Sequence, residues 1–241
     1  MDKRKIKTKN RKNNKKNDRL NTDISTFEKR FIIISIIITV IGTILYSIYE
    51  ARCVDSWVDF KKPIIYIYPK EDTNVKITVS HPEDFTVTYP KYNNGWEVKA
   101  LKDGTLIDKN GKKYYALYWE GEQNKNNPVK SDGFVVKGED VASFLEEKLS
   151  ILGLNYKERE EFIVYWLPKL EKNKYNYIRF QTMNEINETM KLNIEPKPDT
   201  LIRVMMEFKP LDKKISVKEQ KLVKVERVGY TVVEWGGTNL H

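Results

Sequence analysis

The sequence predicts an α+β domain preceded by one transmembrane helix. Residues 31–48 form an apolar run without charge or proline, residues 73–119 alternate apolar with polar positions, and residues 141–170 carry apolar side chains at helical spacing. A period of two indicates strands, and spacings of three and four indicate helices. We therefore expect an antiparallel or mixed β-sheet, sandwich-like in its packing, with a helical hairpin packed on it.

The apolar run, FIIISIIITVIGTILYSI, predicts a transmembrane helix over residues 31–49. Its eighteen residues would measure about 27 Å as an α-helix, which is close to the thickness of a hydrocarbon core. We interpret it as a signal anchor. Two alternatives stay open: a cleaved signal peptide, which lacks a small-x-small site, and a lipoprotein signal ending at Cys53, where Glu50 and Arg52 are unfavourable.

The positive charge of the chain is concentrated before this helix. Residues 1–30 carry twelve Lys/Arg against four Asp/Glu, whereas residues 31–241 carry 31 against 30. This excess predicts a cytoplasmic N-terminus and a C-terminal domain outside the cell membrane. The tail at 1–30 has few apolar residues and is predicted to be disordered, acting as a topology signal or binding anionic inner-leaflet lipids. Nucleic-acid binding is not expected of the nearly neutral domain.

Small residues recur along one side of the apolar helix. They are Ser35, Thr39, Gly42, Thr43 and Ser47. Such a stripe allows two helices to approach closely, so it is the candidate contact of a homodimer within the lipid bilayer. The alternative is that each hydroxyl bonds to a carbonyl of its own helix.

Cysteine and histidine are scarce in this chain. Cys53 is the only cysteine, and His81 and His241 are the only histidines. No disulfide can form within one chain, and a zinc site lacks ligands. The sequence therefore predicts neither a metal site nor a cofactor.

The folded domain is predicted to span residues 62–241, after a juxtamembrane linker at 50–61. Its first three strands are marked by alternating apolar residues, at Val75, Ile77 and Val79, at Phe85, Val87 and Tyr89, and at Trp96, Val98 and Ala100. Asn110-Gly111 is predicted to close a hairpin between residues 106–107 and 114–119. Tight turns between short strands favour an antiparallel sheet.

Two helices are predicted in the second half. The first has apolar residues between 141 and 152 and ends at Gly153. Asn155 and Glu158 form a capping box for the second, which is predicted to end at Pro168. Strands are expected to resume at 177–182, 191–195, 201–208 and 230–235.

Four motifs mark the domain: KPIIYIYP at 62–69, YWEG at 118–121, FIVYWLP at 162–168 and VVEWGG at 232–237. In this order and combination, the chain resembles a family of uncharacterised proteins from bacteria and some fungi. The resemblance covers the domain and excludes the tail and the apolar helix. It implies a portable domain, and it implies no known activity, cofactor or catalytic residue.

Two Trp/Glu pairs are the candidate site residues, Trp119-Glu120 and Glu234-Trp235. Sugar sites combine carboxylates with aromatic rings that stack on pyranose faces, and a glycosidase needs its two carboxyls about 5–10 Å apart. The alternative is that the tryptophans pack in the core while the glutamates end strands in solvent, and the size of the indole ring favours this alternative.

Two further groups have possible roles. An aromatic groove would be formed by Tyr66, Tyr68, Tyr165 and Trp166, but the helical spacing of Trp166 favours its burial in the core, as the alternation favours burial of Trp96. Arg179 and Arg203 lie on predicted strands, where ion pairing with a glutamate such as Glu207 is expected. The leading functional hypothesis is a membrane-anchored domain that binds a ligand or a protein outside the cytoplasm. The alternative is a cell-wall or polysaccharide hydrolase that uses Glu120 and Glu234.

Overall fold

The computed structural model of the chain describes residues 26–48, 57–124 and 128–240. Most of the predicted tail, Cys53, most of the predicted linker and His241 lie outside these residues. The chain divides into two compact units, Met1–Asp55 and Ser56–His241. Helix α1 (Thr26–Ile48) belongs to the first unit, and every strand within the described residues belongs to the second.

The second unit begins with eight strands, and its three helices and five further strands follow along the chain. Its elements are β1 (Trp57–Tyr68), β2 (Thr73–Val79), β3 (Phe85–Tyr89), β4 (Trp96–Ala100), β5 (Leu106–Ile107), β6 (Lys113–Tyr114), β7 (Leu117–Asn124), β8 (Asp132–Lys137), α2 (Val141–Ile151), α3 (Tyr156–Leu170), β9 (Tyr175–Phe180), α4 (Met183–Thr189), β10 (Leu192–Glu195), β11 (Thr200–Leu211), β12 (Lys218–Glu219) and β13 (Thr231–Asn239).

The strands form two sheets. The larger has eight strands in the order β12-β8-β9-β11-β13-β1-β7-β3, and the smaller has five in the order β10-β2-β4-β5-β6. Most neighbours are antiparallel, while β11 runs parallel to β13. The predicted fold class, α+β with a mixed sheet, a sandwich-like packing and a helical hairpin, is confirmed.

The eight-stranded sheet has a core on each face. One face packs against α2 and α3, where Phe162 and Trp166 contact strand residues such as Trp235. The other face packs against the five-stranded sheet, where Trp96 and Trp119 are buried. Because successive strand residues point to opposite faces, neighbouring residues of one strand enter different cores.

Several local predictions are confirmed. The capping box of Asn155 and Glu158 opens α3, with both of its reciprocal hydrogen bonds present. Asn110-Gly111 lies in the turn between β5 and β6. Trp96 and Trp166 are both buried. Thus local hydrogen-bonding patterns and apolar periodicity identified these features correctly.

Three local predictions differ from the structure, and one helix was not predicted. Val87 and Tyr89 are exposed, because β3 is the edge strand of its sheet. Helix α3 continues past Pro168 to its end at Leu170, since a proline removes only the one i→i−4 hydrogen bond of its own missing N–H. Strand β1 begins at Trp57, so residues 57–61 of the predicted linker are strand. The short α4 was not predicted.

Helix α1 (Thr26–Ile48) is long and apolar enough to cross a membrane. Three hydroxyl groups of the predicted stripe bond to the helix itself: Thr39 Oγ1 donates to the carbonyl of Ser35 and Ser47 Oγ to that of Thr43, each at 2.9 Å. Thr43 Oγ1 donates likewise to the carbonyl of Val40. Such bonds within one helix are the alternative to helix–helix contact that the sequence left open for the small-residue stripe.

Candidate functional site

Glu234 lies in the interior of the domain. Its carboxylate accepts a hydrogen bond from Trp119 Nε1 at 2.9 Å and pairs with Arg203 Nε at 2.6 Å. The side chains of Arg203 and Glu234 have no exposed surface. Strands β11 and β13 place Arg203 opposite Glu234 in parallel register, so the pair is built by the sheet itself. The environment of Glu234 is that of a structural ion pair.

A second buried arginine lies on the same face of the sheet. Arg179 bonds to Asp132, to Glu185 and to Glu207 at 3.0–3.3 Å. The expected pairing of Arg179 with Glu207 is confirmed, whereas Arg203 pairs with Glu234. A buried charge needs partners of opposite charge. The guanidinium of Arg179 has three such partners, because all three carboxylates bond to it.

Glu120 lies on the opposite face. It accepts a hydrogen bond from the backbone N–H of Lys62 at 3.3 Å, and it lies near Tyr165 of α3. Burial and then the Glu120 carboxylate raise the pKa of the Tyr118 hydroxyl. Since Glu234 faces the five-stranded sheet, the two carboxylates do not share a cleft. Trp119 and Trp235 are likewise buried in different cores.

The backbone around Lys62 departs from regular strand geometry. The register of β1 shifts between Lys61 and Ile64 against β13 and between Phe60 and Ile64 against β7, each time with one extra residue on β1, which defines a β-bulge. Lys62 has a φ of 61°, a left-handed conformation that is unfavourable for a residue with a side chain. A Cβ at Gly236 would lie 3.0 Å from Pro63, so a side chain there would press against the bulge. Bulges of this kind redirect side chains near functional sites.

The bulge places the ammonium group of Lys62 between two aromatic rings. Lys62 Nζ lies 5.6 Å from the centroid of Tyr118 and 5.8 Å from that of Tyr165. Lys169 lies 3.6 Å from the Tyr165 ring, and burial lowers the pKa of its amine. Cations over tyrosine rings gain electrostatic stabilisation that does not require a hydrogen bond.

A cleft of about 400 Å³ opens beside Lys62. We call it the tyrosine cleft; it is lined by Lys62, Ile64, Tyr89, Lys113, Tyr114, Tyr115, Ala116 and Tyr118. Tyr89 is 54% exposed and Tyr115 is 63% exposed. Exposed rings gathered around a cleft of this size are typical of a binding surface.

Neighbouring contacts hold these rings in place. Tyr114 donates a hydrogen bond to Asp108 Oδ2 at 3.0 Å, and its ring packs edge-on against Tyr89 at 5.5 Å. Tyr66, which lies 6.3 Å from Tyr115, donates to Glu161 at 2.6 Å. Rings fixed in this way lose little conformational freedom when a ligand binds.

The predicted aromatic groove is only partly assembled. Tyr165 lies beside Lys62, but Trp166 and Tyr66 are both buried in the core. Tyr68 stacks on Tyr66 and lies under the guanidinium of Arg227. The aromatic surface that is open to ligands is therefore the tyrosine cleft. Two features of the sequence could have indicated this cleft: the Lys-Pro pair inside a strand, and the tyrosines at 114, 115 and 118.

Metal ligands are not clustered in the described parts of the chain. No group of three or more His, Cys, Asp or Glu side chains is placed there to hold a metal ion. His81 lies in an exposed turn, 3.1 Å from Glu83.

Comparison with known proteins identifies a relative of this chain. No protein-family profile matches the chain, and no solved structure is significantly similar to it. The chain is 37% identical over 67 residues to an "uncharacterized protein in bglA 3′ region" of Butyrivibrio fibrisolvens. The match covers 27% of this chain and 69% of that protein. The chain therefore belongs to the same family as this Butyrivibrio fibrisolvens protein.

Proposed function

We propose that the chain is a single-pass membrane protein that displays a ligand-binding domain outside the cytoplasm. The length and apolar character of α1 support the anchor. The excess of Lys and Arg in residues 1–30 supports a cytoplasmic N-terminus, since positive flanks remain on the cytoplasmic side.

The ligand site is the tyrosine cleft, and one observation carries this proposal. Lys62 adopts a left-handed φ within a strand, and this bulge holds its ammonium group beside Tyr118 at the cleft. Local strain of this type costs about 1–3 kcal/mol and is concentrated at functional sites. A lysine on an ordinary strand would avoid this cost.

The motifs that resemble the bacterial and fungal family support the same site. Lys62 comes from the first motif, Tyr118 and Glu120 from the second, and Tyr165 from the third. Gly236 of the fourth lies against the bulge. Four segments that are distant in sequence thus contribute to one place in the fold.

Binding is tested with the full-length chain in lipid nanodiscs, screened against a panel of soluble glycans and cell-wall fragments. Tyr89→Ala and Tyr115→Ala should each abolish the hits of the parent protein, because they remove the exposed rings. Tyr156→Ala is the matched control, since Tyr156 is 65% exposed and does not line the cleft. Hits that persist in both cleft variants would refute the site.

Orientation is tested separately by protease treatment of intact cells and of spheroplasts. We expect digestion of the C-terminal domain and protection of the N-terminal tail. Digestion of the tail alone would reverse the proposed topology.

Two further experiments test the proposed partners. Binding to vesicles with and without anionic lipid tests whether the tail also binds the inner leaflet. Cross-linking in membranes tests whether the chain forms a homodimer through α1.

The hydrolase alternative is less well supported. A glycosidase needs two carboxyls about 5–10 Å apart around one bond. Glu120 and Glu234 face opposite sides of the sheet, and Glu234 is held by Arg203 and Trp119. Turnover of a polysaccharide that is lost in Glu120→Gln would restore this alternative.

A further inference from the structure

We propose that the tyrosine cleft binds an acidic glycan, in which a sugar ring packs against the tyrosines and its anionic group pairs with Lys62 and Lys113. This inference rests on the binding role proposed above and names the chemical class of the ligand. Two features of the cleft carry it: the sign of its charge, and the exposed faces of its rings.

The charge of the cleft is positive. Among the described residues that line it are two lysines, Lys62 and Lys113, and no Asp or Glu. A third lysine, Lys112, lies 5.2 Å from the rings of Tyr89 and Tyr114 at the rim. A concave surface with one sign of charge attracts ligands of the opposite sign.

Three carboxylates lie near the cleft, those of Asp108, Glu120 and Glu161, but none of them lines it. Glu161 accepts a hydrogen bond from the Tyr66 hydroxyl. Asp108 accepts hydrogen bonds from the Tyr114 hydroxyl and from the backbone N–H of Lys112. Glu120 accepts from the backbone of Lys62. Lys62 Nζ contacts aromatic rings, which stabilise the cation and leave its hydrogen-bond donors free for an anion.

The rings explain why the anion should belong to a sugar. Tyr89 and Tyr115 are more than half exposed although each is large and partly apolar. Aromatic rings stack on the apolar faces of pyranoses, whereas a small inorganic anion would gain nothing from them. The volume of about 400 Å³ suits a small number of sugar rings.

Three polymers separate the contributions of charge and ring. Polygalacturonate has sugar rings and carboxylates, its fully methyl-esterified form has rings alone, and polyacrylate has carboxylates alone. Binding is measured by calorimetry on the full-length chain in nanodiscs of neutral lipid, and the binding that remains in Tyr115→Ala, which includes any binding to the basic tail at residues 1–30, is subtracted. We expect polygalacturonate to bind about tenfold or more tightly than either comparison polymer.

Variants of the lining lysines test whether polygalacturonate binds at the tyrosine cleft. Lys62→Met keeps the aliphatic stem and removes the charge, and it should weaken polygalacturonate binding by about tenfold. Lys113→Met should act in the same direction. Lys157→Met is the matched control, because Lys157 also lies beside an exposed tyrosine, 5.9 Å from the ring of Tyr156. Circular dichroism and tryptophan fluorescence check that each variant is folded.

The outcomes distinguish this inference from the binding role on which it rests. Equal binding of the methyl-esterified polymer, or full binding by both lysine variants, would overturn acid recognition while Tyr115→Ala still tests the cleft. Equal binding of polyacrylate would show a general electrostatic attraction and would also overturn it. Loss of polygalacturonate binding in the cleft variants but not in Lys157→Met supports it.

Discussion

The indole N–H of Trp119 donates a hydrogen bond to Glu234 across 2.9 Å, and this bond joins one member of each Trp/Glu pair. The contact runs between β7 and β13, which are separated by β1 in the sheet. Glu234 is also paired with Arg203 in the interior. The two pairs are thus brought together through structural contacts, with Glu120 left on the other face.

Glu234→Gln should lower the free energy of unfolding by about 3–5 kcal/mol, because it leaves the buried Arg203 guanidinium without its counter-charge. Glu120→Gln is the matched control and should change stability by about 1 kcal/mol or less, since an amide oxygen still accepts from Lys62. Urea unfolding of both variants measures the difference. Equal stabilities would contradict the structural role of Glu234.

Trp96→Ala and Trp166→Ala should each lower the free energy of unfolding by about 3–5 kcal/mol, because both side chains are buried. Urea unfolding measures both losses.

Replacement by phenylalanine should destabilise the two sites to different extents. Trp96 Nε1 donates to the carbonyl of Pro90 at 2.8 Å, whereas Trp166 Nε1 is buried without a partner among the described residues. Trp96→Phe should therefore cost about 1 kcal/mol more than Trp166→Phe in urea unfolding. The reverse order would contradict these contacts.

Gly237→Ala should destabilise the domain by about 1–3 kcal/mol or more, because its Cβ would lie 2.6 Å from the carbonyl oxygen of Met206 and 2.8 Å from the Trp166 ring. Gly236→Ala is the comparison variant, in which the added Cβ meets its neighbours at longer distances. Its nearest contacts are at 3.0 Å, on Pro63 of the bulge, so a smaller cost is expected. Thermal unfolding of both variants gives the order; a neutral Gly237→Ala would refute the close approach.

Glu185 should contribute stability that depends on pH. Burial alone would raise the pKa of this carboxyl, but hydrogen bonds from Thr182 and Arg179 outweigh burial and lower it below its ordinary value of 4.5. The folded state therefore binds this proton more weakly than the unfolded state. The resulting stabilisation is complete above about pH 5 and is lost as the pH falls through the folded pKa.

Glu185→Gln should consequently be less stable than the parent at neutral pH, and the difference should shrink in acid. Urea unfolding at about pH 7 and about pH 3 measures both differences. Glu188→Gln, an exposed position on the same helix, is the control. A stability difference for Glu185→Gln that is the same at both pH values would contradict this coupling.

Local features of the fold were predictable because their causes are local. The capping box of Asn155 and Glu158 involves residues three apart, and the alternation at Trp96, Val98 and Ala100 reflects burial of one strand face. The same alternation failed at Val87, because exposure there depends on β3 being an edge strand. Strand order is a property of distant pairing, and periodicity does not encode it.

The candidate site was harder to predict for the same reason. Trp119, Glu120, Glu234 and Trp235 were identified by residue type, but the face on which each side chain lies depends on register. The bulge reverses the alternation of β1 between Phe60 and Ile65. A shift of one residue moves every later side chain to the other face.

The sequence by itself determined the apolar helix, the concentration of positive charge before it, and an α+β domain with its helical hairpin. These follow from composition and periodicity, which act on neighbouring residues. Only the tertiary structure decided that Glu234 is a buried partner of Arg203 and that Lys62 lies beside the tyrosine cleft. Both depend on strands from distant parts of the chain, whose pairing is selected by the burial of the whole core.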